Sequence, residues 1–261
     1  MAFKDFFNSK TTNVFYSAAA QFLTSLYESK CNHNECYFLD KTPRYYMILD
    51  ELLKIFPEAK FIVLTRNPLD VIASSIDTWG KKGCWNTYAM KLDLTEGIRR
   101  ITNFLHENDN LLHISYQDLT SSLLEQVLKI EKYLGVNLDL NAIQNIGDIQ
   151  IGGALGDPIG VRKYSKVQAK PTGFYLNTLN GVLRKRWVRN YLNTLSEGEM
   201  EMFDINKLEV LKLLKNTPTK YSNVLSDFAR MTYGQLYNYL DIMHFVNTFK
   251  TKRFSKKVGF R

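Results

Sequence analysis

Phe61-Ile62-Val63-Leu64-Thr65-Arg66-Asn67-Pro68-Leu69-Asp70-Val71-Ile72-Ala73-Ser74-Ser75 decides the reading of this chain. Phe61 to Thr65 are largely apolar and β-favouring, as in a buried strand. A helix start follows at once: Asn67 suits the N-cap, Pro68 the first helical position and Asp70 the first turn. Arg66 sits at the joint. A parallel strand that turns into a helix at an arginine places a fork of donors at the carboxyl edge of the sheet, where open α/β folds bind ligands. Guanidinium stays charged and forms paired, charge-assisted hydrogen bonds, so it suits phosphate. Ser74, eight residues on, can add a hydroxyl to the same anion. The alternative is a surface arginine and a helical serine with no ligand.

Working outward, Cys36–Asp40, Lys60–Arg66 and Leu111–Tyr116 read as strands, each followed by a helical pattern. Such alternation implies a parallel sheet with crossover helices. Helices are expected over Thr12–Ser29, Met47–Phe56, Thr95–Glu107 and Leu123–Leu134, the last stopped by Gly135. After Ser196 the pattern is helical, over Asp204–Leu214 and Asn223–Thr248.

A family enters on the order of the motifs. Asp40-Lys41-Thr42-Pro43-Arg44-Tyr45, a helix, Phe56-Pro57-Glu58-Ala59-Lys60-Phe61 and the strand ending in Arg66-Asn67-Pro68-x-Asp70-x-x-x-Ser74 resemble the sulfotransferases. Those enzymes use 3′-phosphoadenosine 5′-phosphosulfate (PAPS). Ser115-Tyr116-Gln117-Asp118-Leu119 and the later Tyr133-Leu134-Gly135 resemble two further family segments, and the likeness runs over roughly residues 36 to 190. It implies a P-loop NTPase-like parallel sheet with flanking helices and no metal. By the same match, Arg66 and Ser74 would hold the 3′-phosphate and Tyr116 would lie against the adenine. Lys41 would be catalytic, stabilising the bridging phosphate oxygen as sulfate leaves. For Lys41 and Tyr116 the alternatives are a solvated lysine and a buried strand-end tyrosine. Gly156 to Pro171 resembles the loop that closes over the nucleotide in the tyrosine-protein branch, with Ser165, and Lys163 beside it, as candidates.

One family element is missing. The 5′-phosphosulfate loop, an Arg/Lys-Ser-Gly-Thr-Thr type turn after the first strand, has no counterpart; Ser9-Lys10-Thr11-Thr12 lacks the glycine and any β-rich run before it. The general base is missing too: where the cytosolic branch carries a histidine, this chain has Pro43. The first strand and its loop are therefore expected to be absent, either because the true start lies upstream or because this is a natural truncation with impaired catalysis. The rival readings are a non-catalytic nucleotide- or anion-binding descendant, and an interaction protein using its basic tail and tyrosine-rich C-terminal helices.

Composition sets the bounds. A chain of 261 residues with 45% hydrophobic residues can bury one full core. No run reaches the length of a transmembrane helix, and Met1 to Asn8 lacks the apolar region of a signal peptide. Three cysteines favour reduced thiols and a cytoplasmic setting, and Cys31-x-His33-x-x-Cys36 lacks a second ligand pair for zinc. Of the net charge of +8, six units lie in residues 248–261, so a whole-surface nucleic-acid binder is not expected. That tail could instead touch an anionic surface. The run Arg184-Lys185-Arg186-Trp187-Val188-Arg189 reads as an anion-facing helix, or as a helix surface with Trp187, Val188, Tyr191 and Leu192 turned inward. The expected organisation is an α/β domain over 1–195, a helical appendage over 196–247 and the tail. The acceptor, whether small molecule, glycan or protein, is not legible.

Overall fold

Periodicity and caps carry directly into the elements of the computed structural model, which describes residues 9–31, 37–80, 83–144 and 173–240. In chain order these are α1 (Ser9–Glu28), α2 (Leu49–Ile55), β1 (Phe61–Thr65), α3 (Pro68–Trp79), α4 (Ile98–Glu107), β2 (Leu111–Ser115), α5 (Tyr116–Ser121), α6 (Leu123–Leu134) and α7 (Leu140–Gln144). After the undescribed stretch come α8 (Leu176–Leu179), α9 (Val182–Leu192), α10 (Glu197–Met202), α11 (Lys207–Asn216) and α12 (Val224–Tyr239). Short 3-10 turns lie at Tyr45–Met47 and Thr87–Met90. No helix among the described residues is long and apolar enough to cross a membrane.

The chain divides into two compact units. The first comprises residues up to Ile62 together with Gly97–Leu111. Here α1 packs on α2, with Lys54 Nζ 5.6 Å from the Tyr16 ring centre. Tyr46 is buried against α4, and a Cβ at Gly97 would stand 3.2 Å from its ring, so only glycine fits there without displacing it. Phe61 meets Phe104 edge-on at 5.8 Å.

The stretch expected as a first strand differs. Residues 37–40 form no strand, and Tyr37, Phe38 and Leu39 stand largely exposed. With no strand beside it among the described residues, the segment is held by side chains. Phe38 stacks on Tyr27 at 4.3 Å, and Asp40 accepts hydrogen bonds from the hydroxyls of Tyr27 and Tyr45, both at 2.6 Å. Burial chiefly, with Asp40 beside it, raises the Tyr27 pKa; for Tyr45 the Asp40 hydrogen bond is the larger cause.

The second unit holds Val63–Glu96 and the chain from Leu112 onward. β1 and β2 pair as a small parallel sheet of two strands. α3 supplies the core: Leu69, Ile72, Ala73 and Ile76 are fully buried, at the spacing of one helical face. Leu179, Val188, Leu192 and Leu214 bury equally completely on α8, α9 and α11.

The basic run on α9 follows the second of its two sequence readings at Val188, Tyr191 and Leu192 but not at Trp187, which is half-exposed, and it adds something neither contained. Val188, Tyr191 and Leu192 are buried, and so are Arg184 and Lys185, at 4% and 5% exposure. Arg184 makes a bidentate pair with Asp227 of α12 at 2.7 and 2.8 Å, and it donates to the carbonyls of Thr178 and Gly83. Lys185 donates to the Thr217 carbonyl and to Thr219 Oγ1. Both cations are thus spent on internal carbonyls and a buried carboxylate, which is how buried charge is tolerated.

Candidate functional site

Both strands of the sheet end by turning straight into helices. After β1, Asn67 caps α3: its Oδ1 accepts from the Leu69 amide at 3.0 Å, and Pro68 occupies the first helical position. After β2, Ser115 caps α5 by accepting from the Asp118 amide at 3.0 Å. Because the strands are parallel, the two joints share the carboxyl edge. Thr65 Oγ1, at the end of β1, and His113 Nε2, in the middle of β2, hydrogen-bond at 2.8 Å and tie the strands together.

At this edge the guanidinium of Arg66 lies over the ring of Tyr116, 4.4 Å from its centroid. The two residues are 50 positions apart in sequence, so the pairing is a product of the sheet. Arg66 Nε is buried and has no hydrogen-bond partner among the described residues. A buried guanidinium N–H without an acceptor is costly unless a ligand supplies one. With its guanidinium over the Tyr116 ring and Nε unpaired among the described residues, Arg66 offers charged N–H donors of the kind an oxyanion accepts.

Ser74 lies in the second turn of α3, half-buried, and its hydroxyl makes no hydrogen bond to a described residue. Tyr116 opens α5, half-buried, with one ring face taken by Arg66. Lys41 belongs to the first unit, exposed, directly after the doubly hydrogen-bonded Asp40. Ser165 and Lys163 fall outside the described residues, as does the basic tail. Sequence reasoning missed the Arg66–Tyr116 contact itself. The signal that could have found it is the parallel arrangement, which sets the residue after each strand at the same edge.

Comparison with known proteins adds the following. A family model described as the Sulfotransferase family matches residues 3–139, slightly more than half of the chain. The match includes Lys41, Arg66, Ser74 and Tyr116, and it begins well upstream of residue 36. The Nodulation protein NoeE of Sinorhizobium fredii (strain NBRC 101917 / NGR234) is 55% identical over 42 residues, 16% of this chain. The chain spans only 10% of that protein's length. No solved structure matches.

Proposed function

Because the chain belongs to the sulfotransferase family, we propose that it binds PAPS through its 3′-phosphate and serves sulfuryl transfer to a hydroxyl or amine acceptor. The observation that carries this reading is Arg66, whose buried Nε has no acceptor among the described residues while its guanidinium is oriented by Tyr116. Arg66 would grip the 3′-phosphate and Ser74 would donate its hydroxyl to it. The other face of the Tyr116 ring would take the adenine, and Ser165, by the family resemblance, would also hold the nucleotide. In the transfer, the acceptor heteroatom bonds to sulfur as the bond from sulfur to the bridging phosphate oxygen breaks. The acceptor's proton passes to water. The Lys41 ammonium would stabilise the charge that gathers on the departing oxygen.

Calorimetry with adenosine 3′,5′-bisphosphate and with 5′-AMP tests the reading. A charge-assisted hydrogen bond is worth about 1.5–3 kcal/mol, so the bisphosphate should bind at least about tenfold tighter. Arg66→Lys should erase most of that preference, since a point charge does not replace the fork. Equal affinity for the two nucleotides would remove the phosphate role.

A second reading, a nucleotide binder that does not turn over, is favoured by the sequence itself. These 261 residues contain no Gly-Thr-Thr type turn to cradle the phosphosulfate. Positioning contributes about 7–11 kcal/mol to such reactions. The chain tested as it stands is therefore expected to bind the 3′-phosphate end and transfer little labelled sulfate across a broad acceptor panel. Robust turnover would reject this second reading and assign the cradle to another segment.

A further inference from the structure

Away from the Arg66 edge, the second unit contains an open cleft of about 840 Å³ between α9, α12 and the segment Trp85–Thr95. That size suits a bound small molecule or oligomer. Three kinds of group meet on its walls.

The first is aromatic. Trp187 stacks on Tyr191 at 5.0 Å and meets Trp85 edge-on at 5.0 Å. Phe228 and Tyr239 stand 62% and 86% exposed along α12. The second is neutral and polar: Asn190, Thr232 and Gln235 are exposed, and their side chains make no hydrogen bond to a described residue. The third is cationic. Lys91 and Arg186 are exposed in the lining, neither pairs with a described carboxylate, and among the described residues no Asp or Glu lines the cleft.

The wall formed by α12 is built for close approach. A Cβ at Gly234 would stand 2.8 Å from Tyr88 Cβ, so glycine lets the helix press on the 3-10 turn. Tyr233 and Tyr237 then clasp the Tyr88 ring at 5.5 and 5.3 Å.

These groups select a ligand class. The Trp187–Tyr191 stack uses a face of each ring and leaves no slot between them for a planar base. Aromatic edges and remaining faces pack well against the C–H faces of non-planar rings. Side-chain amides, which both donate and accept, suit vicinal hydroxyls. Two cations without a carboxylate focus a positive field into the cleft. We propose that this cleft binds an acidic oligosaccharide, its sugar rings against Trp187 and Phe228 and its carboxylate or sulfate groups toward Lys91 and Arg186. That such a glycan is the sulfuryl acceptor rests on the function proposed above; its binding does not. Leu183 to Tyr239, which supply most of the lining, lie outside the family match at residues 3–139.

Two of the three tryptophans line the cleft, so tryptophan emission reports its occupancy. The full chain would be titrated with a uronic-acid tetrasaccharide and with the same tetrasaccharide after carboxyl reduction, by fluorescence and by calorimetry. The acidic form should bind about tenfold or more tighter, and salt should narrow the gap. The variant carrying Lys91→Gln and Arg186→Gln should lose the preference while keeping its thermal midpoint. It should also keep its affinity for adenosine 3′,5′-bisphosphate, which separates a failure of the cleft from a failure of the nucleotide site. No binding of either sugar, equal binding of both, or a preference that survives the double substitution would overturn the proposal.

Discussion

Arg66 and Tyr116 hold one another in place before any ligand arrives. The guanidinium over the ring, at 4.4 Å, gains about 0.5–1 kcal/mol at a partly exposed site. Its larger effect is restraint, because the ring limits where the guanidinium can move. Tyr116→Phe keeps the aromatic face and should leave adenosine 3′,5′-bisphosphate affinity within about twofold. Tyr116→Ala removes the face and any adenine stacking, and should weaken binding about tenfold or more, since stacking is worth about 1–3 kcal/mol per base. Calorimetry of both variants decides whether the ring matters. For Lys41 the expectation divides differently. If transfer is observed, Lys41→Ala should lower kcat far more than nucleotide affinity, because its contact strengthens only as charge develops. Single-turnover kinetics beside a binding isotherm check this, and a loss confined to binding would assign Lys41 to the ground state.

At the scale of elements, the strand–helix joints hold the candidate site. Asn67 caps α3 through the Leu69 amide and also donates to the Asp204 carbonyl. Asn67→Ala should cost about 1 kcal/mol from the lost cap. The fully buried Ile72 on the same helix should cost about 2–5 kcal/mol when cut to Ala, through lost burial and the cavity left behind. Chemical denaturation distinguishes the two. Within β2, burial is the main cause holding the His113 imidazole below its ordinary value of 6.5, with the Asp204 and Asp118 carboxylates partly offsetting it. The unfolded chain therefore takes up this proton more readily than the folded one. The contribution of His113 is present above pH 6.5 and is lost as pH falls through the lowered folded value. Melting curves from pH 8 down to 5 should show a shallower acid-side decline in His113→Gln than in the parent. The effect should be small, since the side chain is exposed over part of its surface.

For the second unit as a whole, the buried ion pair is the connection most open to test. Arg184 of α9 and Asp227 of α12 are joined across residues 196–223, with side chains only 5% and 2% exposed. Asp227→Ala strands the guanidinium in the interior and should cost about 3–5 kcal/mol. Replacing both partners by apolar residues of similar volume should cost much less, because no uncompensated charge remains. A denaturation series over single and double variants measures the difference; equal losses would mean that the other hydrogen bonds of Arg184 suffice to hold it.

What the sequence determined by itself is local. A β-rich run ending at Asn67-Pro68 specifies a strand followed by a capped helix, since the cap hydrogen bond and the fixed proline φ act within a few residues. Leu123–Leu134 has the helix bounds its periodicity requires, and Gly135, at φ 70°, takes the left-handed turn that ends it. What only the tertiary structure decided depends on residues distant in sequence. Tyr37–Asp40 has strand-like composition but no strand to pair with among the described residues, so side-chain contacts hold it instead. Arg184 and Lys185 read as an anion-facing or surface stretch of helix, yet they are buried, because Asp227 and the carbonyls that receive them come from other elements. The Arg66–Tyr116 contact and the aromatic cleft are of the same kind. A residue's type fixes what it can bond, while its partner and its burial are set by which elements the fold brings together.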